Sequence, residues 1–278
     1  IRIREALAWS AFWIALALAF NLLVWKWEGH RAGLEYLTGY LVEKSLSVDN
    51  LFVFLMLFSF FGVERRCQHK VLFWGILGAV IMRGIFIYAG VTLMQTLHWL
   101  VYALGAFLVV TGAKMAMKKG EEVHPERNPV LRLFHRFMPV TKDFEGDRFF
   151  VRRAGRLMAT PLFVVVLVVE TTDVVFAVDS IPAILGITTD MLVVYTSNIF
   201  AILGLRALFF ALAGFMQVFH HLHYGLSLIL VFIGAKMIAG AWVKIPVGIA
   251  LGVVAGILVV SVATSLMFPG GREKAKAE

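Results

Sequence analysis

Long apolar segments separated by short polar stretches run through the whole sequence. A window of about 20 apolar residues is long enough to cross the hydrocarbon core of a bilayer as a helix. The second and fifth of these windows are long, so we expect those helices to be tilted or broken. The windows predict an all-α polytopic membrane protein with about eight transmembrane helices, at 6–25, 34–61, 71–93, 97–117, 157–185, 191–215, 224–241 and 245–268.

The composition agrees with this pattern. Apolar and aromatic residues make up 60% of the 278 residues, and charged residues make up 16%, against about a quarter in soluble domains. The single cysteine, Cys67, excludes a disulfide framework within the chain and a thiolate metal cage. We interpret the first window as a true span rather than a signal peptide, because no clear small-residue cleavage site ends it.

Basic residues lie between the spans and concentrate on one side of the predicted membrane. That side holds Arg2 and Arg4, the 65–70 turn, the 114–156 connection and the C-terminal lysines, whereas the other side holds little beyond three basic residues. The positive-inside rule therefore places both termini in the cytoplasm. The same rule explains the net charge of +8, so we expect a lipid bilayer and no nucleic acid as partner.

The basic connection contains two candidate elements. NPVLRLFHRFMPV, at 128–140, predicts a short amphipathic helix at the membrane interface. RFFVRRAGRLMAT, at 148–160, alternates around Ala154 and Gly155 as a small hairpin would. The connection is interpreted as a tether or as a regulatory lid, and we favour the tether.

An internal repeat divides the chain into two units. LVVTGAKMAM, from residue 108, agrees with LVFIGAKMIA, from residue 230, at six of ten positions. The other landmarks that recur at a similar offset are Arg83 with Arg206, Glu43 with Asp173, and Asp49 with Asp179. Each unit holds three spans, and because three is odd the second unit enters the membrane from the opposite side. This pattern predicts two inverted-topology three-helix repeats, an architecture typical of secondary transporters.

Five segments follow from the spans and the repeat. They are an N-terminal helix with its connection (1–33), the first repeat (34–117), the basic cytoplasmic loop (118–156), the second repeat (157–241), and a C-terminal helix with a tail (242–278).

Acidic residues inside the spans are the main candidates for function. One charged residue at the centre of a span costs roughly 2.5–3.5 kcal/mol on translocon-insertion scales. Arg83 and Arg206 can balance two of the acids, protonation could neutralise others, and a bound cation would stabilise the rest. The ligand set consists of oxygen donors, which suits Mn²⁺, Mg²⁺ or Ca²⁺. The predicted metal ligands are Glu43, Asp49, Asn50, Glu170, Asp173, Asp179 and Asn198. The alternative is that these groups form only interhelical ion pairs.

Two further polar features are weighed in the same way. Pro182 removes a helical hydrogen bond to the carbonyl of Val178, which predicts a broken helix and a free carbonyl beside Asp179. His220, His221 and His223 cluster at a span junction, where a solvated loop is favoured over a metal gate.

Several motifs resemble the TerC family, in the branch that holds TerC and Alx. They are SLSVDN, TDVVFAVDSIPAI, TSNIFAILGLRALFF and LVFIGAKM, together with the two stretches of the central loop quoted above. The resemblance covers roughly residues 34–241, and HHLHYG, at 220–225, departs from the family pattern. It implies a bacterial inner-membrane transporter, grouped with the LysE-like exporters, that exports Mn²⁺. The choice of manganese comes from the resemblance alone.

These observations lead to one main hypothesis and one alternative. The main hypothesis is export of a divalent cation by alternating access through a carboxylate-lined site, with no prosthetic group and no enzymatic activity. Proton coupling and a homo-oligomer stay open. The alternative is a membrane assembly factor or scaffold linked to tellurite resistance. An intramembrane aspartyl protease is disfavoured, because the YD and GxGD motifs of those enzymes are missing from the spans.

Overall fold

The computed structural model describes residues 3–117, 128–153, 155–212 and 222–267, with the side chains of Ile3 and Asp49 left out of the description. Helices dominate these ranges, and one two-stranded hairpin interrupts them. In chain order the elements are α1 (Ile3–Glu28), α2 (His30–Phe60), α3 (Arg65–Thr96), α4 (Leu100–Met117), α5 (Pro129–Phe137), β1 (Phe150–Arg153), β2 (Arg156–Ala159), α6 (Pro161–Leu185), α7 (Met191–Leu203), α8 (Leu205–Leu212), α9 (Leu222–Ala239) and α10 (Val247–Met267).

The prediction of an all-α polytopic membrane protein is confirmed. Within the described ranges, six helices are individually long and apolar enough to cross a membrane, and there are seven if the bent pair α7–α8 counts as one span. α2 is 31 residues long, but it carries five charged residues, which lower its hydropathy. The count of eight spans therefore depends on α2 and stays a prediction.

Two predicted details of the spans differ from the structure. The window 191–215 does not form one straight helix, because α7 and α8 meet at Gly204 with a bend of 41°. Lys44 of α2 lies at this bend, and its ammonium group donates to the carbonyl of Ala201 at 3.0 Å. Positive charge at the end of α7 is favourable, because the carbonyl groups there carry partial negative charge.

The expected break at Pro182 was wrong, because α6 runs without interruption to Leu185. Pro182 offers no N–H to the carbonyl of Val178, but one missing hydrogen bond does not unwind the helix. The neighbouring side chains of Ile181 and Ile184 are buried in the protein, and we attribute the continuity of the helix to this packing.

Helices α4 and α9, which end in the repeated Gly-Ala-Lys-Met sequence, pack closely along their length. A Cβ atom on Gly105 would lie 2.9 Å from the carbonyl oxygen of Gly234, and one on Gly112 would lie 2.7 Å from that of Ser227. The residue numbers rise along α4 as they fall along α9, so the two helices are antiparallel. Only small residues permit such close approach of two helix backbones in a membrane protein.

Two further helix pairs with extensive contacts are parallel. α3 packs against α6, with Gly75 facing Val169 and Gly90 facing Leu185. α2 packs against α7, and Gly39 faces Ser197. Each of these pairs joins a helix of the first predicted unit to a helix of the second.

Two apolar clusters occupy opposite ends of this helix bundle. The first includes Val42, Ile87 and Ile184. The second includes Leu57, Leu72, Val165 and Phe209, with α5 contributing Leu131. Along α3 and α6, the two clusters leave a gap at the middle of each helix.

The two elements predicted in the central connection are confirmed. α5 begins after Asn128, whose side chain caps the helix by accepting from the N–H of Val130 at 2.9 Å. The amide nitrogen of the same side chain donates to the hydroxyl of Thr171 on α6 at 2.7 Å. β1 and β2 pair antiparallel, with Gly155 in the turn between them, and Ala154 lies outside the described residues. The choice between tether and lid stays open.

We expect Gly234→Ala to weaken the α4–α9 packing, because the added methyl group would lie 2.5 Å from the carbonyl oxygen of Gly105. Overpacking of this kind lowers the free energy of unfolding by about 1–3 kcal/mol. Gly252→Ala in α10 is the matched control, since no atom lies within 4 Å of its added methyl group. Thermal unfolding of the purified proteins in detergent measures the difference, and equal midpoints for the two variants would contradict the close contact.

Candidate functional site

A buried arginine joins two buried acids at the middle of the bundle. Arg83 of α3 donates through Nε and Nη2 to the two carboxylate oxygens of Asp173 on α6, at 3.2 and 3.0 Å. Its Nη1 donates to Glu43 Oε1 on α2. Glu43 is 0% exposed, Arg83 1% and Asp173 7%. The guanidinium group therefore bridges one acid from each predicted unit in a place that excludes solvent.

The carboxylate of Glu43 is only partly satisfied. The hydroxyl of Ser47 donates to Oε1 at 3.2 Å, so this oxygen accepts from both Ser47 and Arg83. Oε2 is buried and has no hydrogen-bond partner in the structure. A buried carboxylate oxygen without a donor is unfavourable, so Glu43 holds an acceptor that is open to a further positive group.

The packing of α3 against α6 positions Arg83 beside Asp173. Glycines at 75 and 78 let the two backbones approach, and Gly78 leaves room for the carboxylate of Glu170, which a Cβ atom there would strike. Glu170 lies one helical turn before Asp173, and residues three apart on a helix are neighbours. Two acids of α6 are thus held along the α3 interface.

Amide and hydroxyl groups complete the polar interior. Asn198 on α7 is 0% exposed, and neither its oxygen nor its nitrogen has a hydrogen-bond partner. The hydroxyl of Ser180 on α6 is also buried without a partner, and Asn50 on α2 is 8% exposed. Sequence reasoning did not assign Ser47 or Ser180 to the site, although a serine within a turn or two of an acid in a span is a usable signal.

The predicted ligands are placed to different extents. Glu43 and Asp173 meet directly on Arg83, and Asp179 is half-buried two turns further along α6. The side chain of Asp49 lies outside the described residues, so its predicted place in the site is not tested. Among the side chains that are described, no group of three or more His, Cys, Asp and Glu residues is arranged to hold a metal ion.

Arg206 lies apart from these acids. It is exposed on α8, and its Nη2 atom is 3.5 Å from Nδ1 of His69. The bend at Gly204 turns α8 away from the direction of α7. Arg206 is therefore exposed, although it occupies the position in the second predicted repeat that corresponds to buried Arg83 in the first. Lys44, which sequence reasoning passed over, is the cation that reaches α7 from α2. His220 and His221 lie outside the described residues, and the Nε2 atom of His223 lies 2.7 Å from the carbonyl oxygen of Met115.

Carboxylate, amide and hydroxyl groups supply the oxygen atoms of this region. Such oxygens bind hard dications, which take six or more of them in place of water. The region therefore offers donor atoms of the kind that hard dications prefer.

The description "Integral membrane protein TerC family" belongs to a family model that matches residues 28–273. The chain belongs to the TerC family. This match includes α2 to α10 and thus every residue of the site described above.

Relatives of similar length agree with this assignment. The chain is 49% identical over 267 residues to "Uncharacterized membrane protein STKORF319" of Myxococcus xanthus, covering 96% of this chain and 84% of that protein. It is 48% identical over 266 residues to "Putative membrane-bound redox modulator Alx" of Escherichia coli K12, covering 93% and 83%. A Rickettsia bellii membrane protein is 39% identical over 264 residues, covering 95% and 87%. No solved structure matches the chain.

We expect Asn198→Leu to stabilise the protein, because it replaces two buried polar atoms that have no partners with an apolar group of similar size. The gain in the free energy of unfolding should be about 1–3 kcal/mol, the desolvation penalty of such a group. The same substitution at Asn128, whose side chain makes two hydrogen bonds, should instead destabilise. Thermal midpoints in detergent test both variants, and destabilisation by Asn198→Leu would mean that Asn198 has partners in the folded protein.

Proposed function

We propose that this member of the TerC family exports a divalent metal cation, with Mn²⁺ as the preferred ion, by alternating access. The observation that carries the proposal is the meeting of Glu43 and Asp173, from different predicted units, on one buried arginine. Acids are expensive to keep inside a membrane, and they mark ion pathways in membrane proteins. In this proposal the metal is the transported substrate and not a resident cofactor of the protein.

The helix packing supports an inverted repeat. If α4 and α9 are equivalent at an offset of 122 residues, Gly105 corresponds to Ser227, and Gly112 to Gly234. The contact of Gly105 with Gly234 then maps onto the contact of Ser227 with Gly112, and both contacts are present. Antiparallel packing of equivalent helices is what a two-fold axis in the membrane plane requires. Transporters of this kind bind their substrate near the midplane, where the repeats meet.

The choice of ion has two levels of support. The oxygen donors of Glu43, Asp173, Asn50 and Asn198 favour a hard dication such as Mn²⁺, Mg²⁺ or Ca²⁺. Manganese itself rests on the resemblance to the family. A location in the inner membrane with both termini in the cytoplasm, proton coupling, a homo-oligomer and the lack of enzymatic activity stay predictions.

The scaffold hypothesis and the name of the Alx relatives suggest different functions. Assembly without transport gives no reason for the unsatisfied oxygen of Glu43 or for the unpartnered amide of Asn198. A redox modulator that used thiol–disulfide exchange within one chain would need two cysteines, and this sequence has one, Cys67. Transport therefore agrees better with the buried groups.

We expect Asp179→Asn, and Asp49→Asn, to reduce Mn²⁺ flux in proteoliposomes by about 100-fold or more. Loss of a carboxylate from the path removes charge that stabilises the dication in the apolar interior. Glu64→Gln, which neutralises an exposed acid at the start of α3, should leave the flux unchanged. Flux equal to that of the unmodified protein in the Asp49→Asn, Asp179→Asn double variant would refute the site.

The ion is identified in the same vesicles. Unlabelled Mn²⁺ should compete with labelled Mn²⁺ better than Mg²⁺, Ca²⁺ or Zn²⁺ does. Stronger competition by another dication would keep the transport proposal and change its substrate. Normal flux in the acid variants, with loss of cellular function on deletion of residues 128–156, would instead favour the scaffold.

A further inference from the structure

We infer that Arg83 is a built-in substitute for the transported cation, and that it neutralises Glu43 and Asp173 whenever the site is empty. The inference rests on the proposed function. It names the group that lets the transporter, once the metal has left, reorient its empty site to the side from which the metal is taken up. Its basis is the position of one permanent charge between two acids from different predicted units.

Arg83 is bound unequally to the two acids. Two parallel hydrogen bonds tie its guanidinium group to Asp173, whereas a single hydrogen bond reaches Glu43. Paired guanidinium–carboxylate hydrogen bonds are the more directional arrangement. Glu43 also keeps one oxygen without any partner. The contact to Glu43 is therefore the one that an incoming cation breaks first.

Charge makes the two occupants exclusive. A dication bound by the carboxylate of Glu43 would lie within a few ångströms of the guanidinium of Arg83, and like charges repel strongly where water is scarce. Arg83 is 1% exposed, so solvent does not screen this repulsion. Arrival of the metal at Glu43 displaces the guanidinium, and departure of the metal lets it return.

The empty protein needs a positive charge at this place. Alternating access requires the site to turn from one side of the membrane to the other without its substrate. Two carboxylates in an apolar interior without a cation are strongly unfavourable. With Arg83 in contact with both, Glu43, Arg83 and Asp173 together carry one negative charge instead of two. Removing the charge of Arg83 therefore hinders the empty form most, while the metal-loaded form keeps its own cation.

Two flux measurements separate these forms. Net export from Mn²⁺-loaded proteoliposomes into metal-free buffer requires the empty site to return. Exchange of labelled internal Mn²⁺ for unlabelled external Mn²⁺ requires only the loaded site to move. Arg83→Gln should reduce net export at least about tenfold while exchange stays within about threefold of the unmodified protein.

Two substitutions serve as controls. Arg83→Lys keeps a positive charge and should retain net export at a reduced rate, since an ammonium group lacks the planar fork that spans both acids. Arg66→Gln removes an exposed arginine from the same helix, where its partner is Glu64. It should leave both fluxes unchanged.

Thermal stability gives a second readout, and it tests the inference even if Arg83→Gln is less stable than the unmodified protein. This variant is purified in Mn²⁺, and Mn²⁺ should raise its thermal midpoint more than that of the unmodified protein, because the metal replaces the missing cation. An equal or smaller increase would overturn the inference.

The flux outcomes distinguish the two levels of the argument. Normal net export by Arg83→Gln would overturn the role of Arg83 and leave the transport proposal intact. Loss of both fluxes with unchanged Mn²⁺ affinity would do the same, because the loaded form would then also depend on Arg83. If the unmodified protein neither bound Mn²⁺ nor transported it, both the role of Arg83 and the transport proposal would be overturned.

Discussion

The burial of charge among apolar helices is the constraint on which this structure depends. Glu43, Arg83 and Asp173 come from three helices and meet where almost no solvent reaches them. Removing one partner from such a group leaves an uncompensated charge, which typically costs about 3–5 kcal/mol in a protein interior. The relative placement of α2, α3 and α6 is therefore coupled to the ionic contacts, and a movement of one helix must exchange those contacts for others.

Glycines allow the helices around the ionic group to pack closely. Gly75 and Gly78 bring α3 close to α6, and Gly39 brings α2 close to α7. Hydrophobic burial alone gives helices in lipid little reason to associate, so close packing and polar contacts hold them together. The contact of Arg83 with Asp173 lies across the interface that Gly75 and Gly78 narrow, so this ion pair and the close packing of α3 on α6 support each other.

Much of the fold and part of the site could be predicted from the sequence. Apolar windows located the spans, and the amphipathic pattern at 128–140 and the alternation around Gly155 predicted α5 and the hairpin, because these signals are local. The shared offset of Glu43 and Asp173 indicated related positions. The bend between α7 and α8, the continuity of α6 and the exposure of Arg206 could not be predicted from such local signals. The hydrogen bond from Lys44 at the α7–α8 bend, the burial that keeps α6 helical at Pro182 and the exposed side chain of Arg206 all depend on residues distant in sequence.

The side chain of Asn128 has a mechanical consequence. One of its atoms caps α5 and another holds Thr171, the residue next to Glu170 on α6. A helix outside the bundle core is thereby fastened beside an acid of the interior. A displacement of α5 has to break the hydrogen bond to Thr171 or pull α6 with it, so a force on the central connection is transmitted to the residue next to the half-buried carboxylate of Glu170.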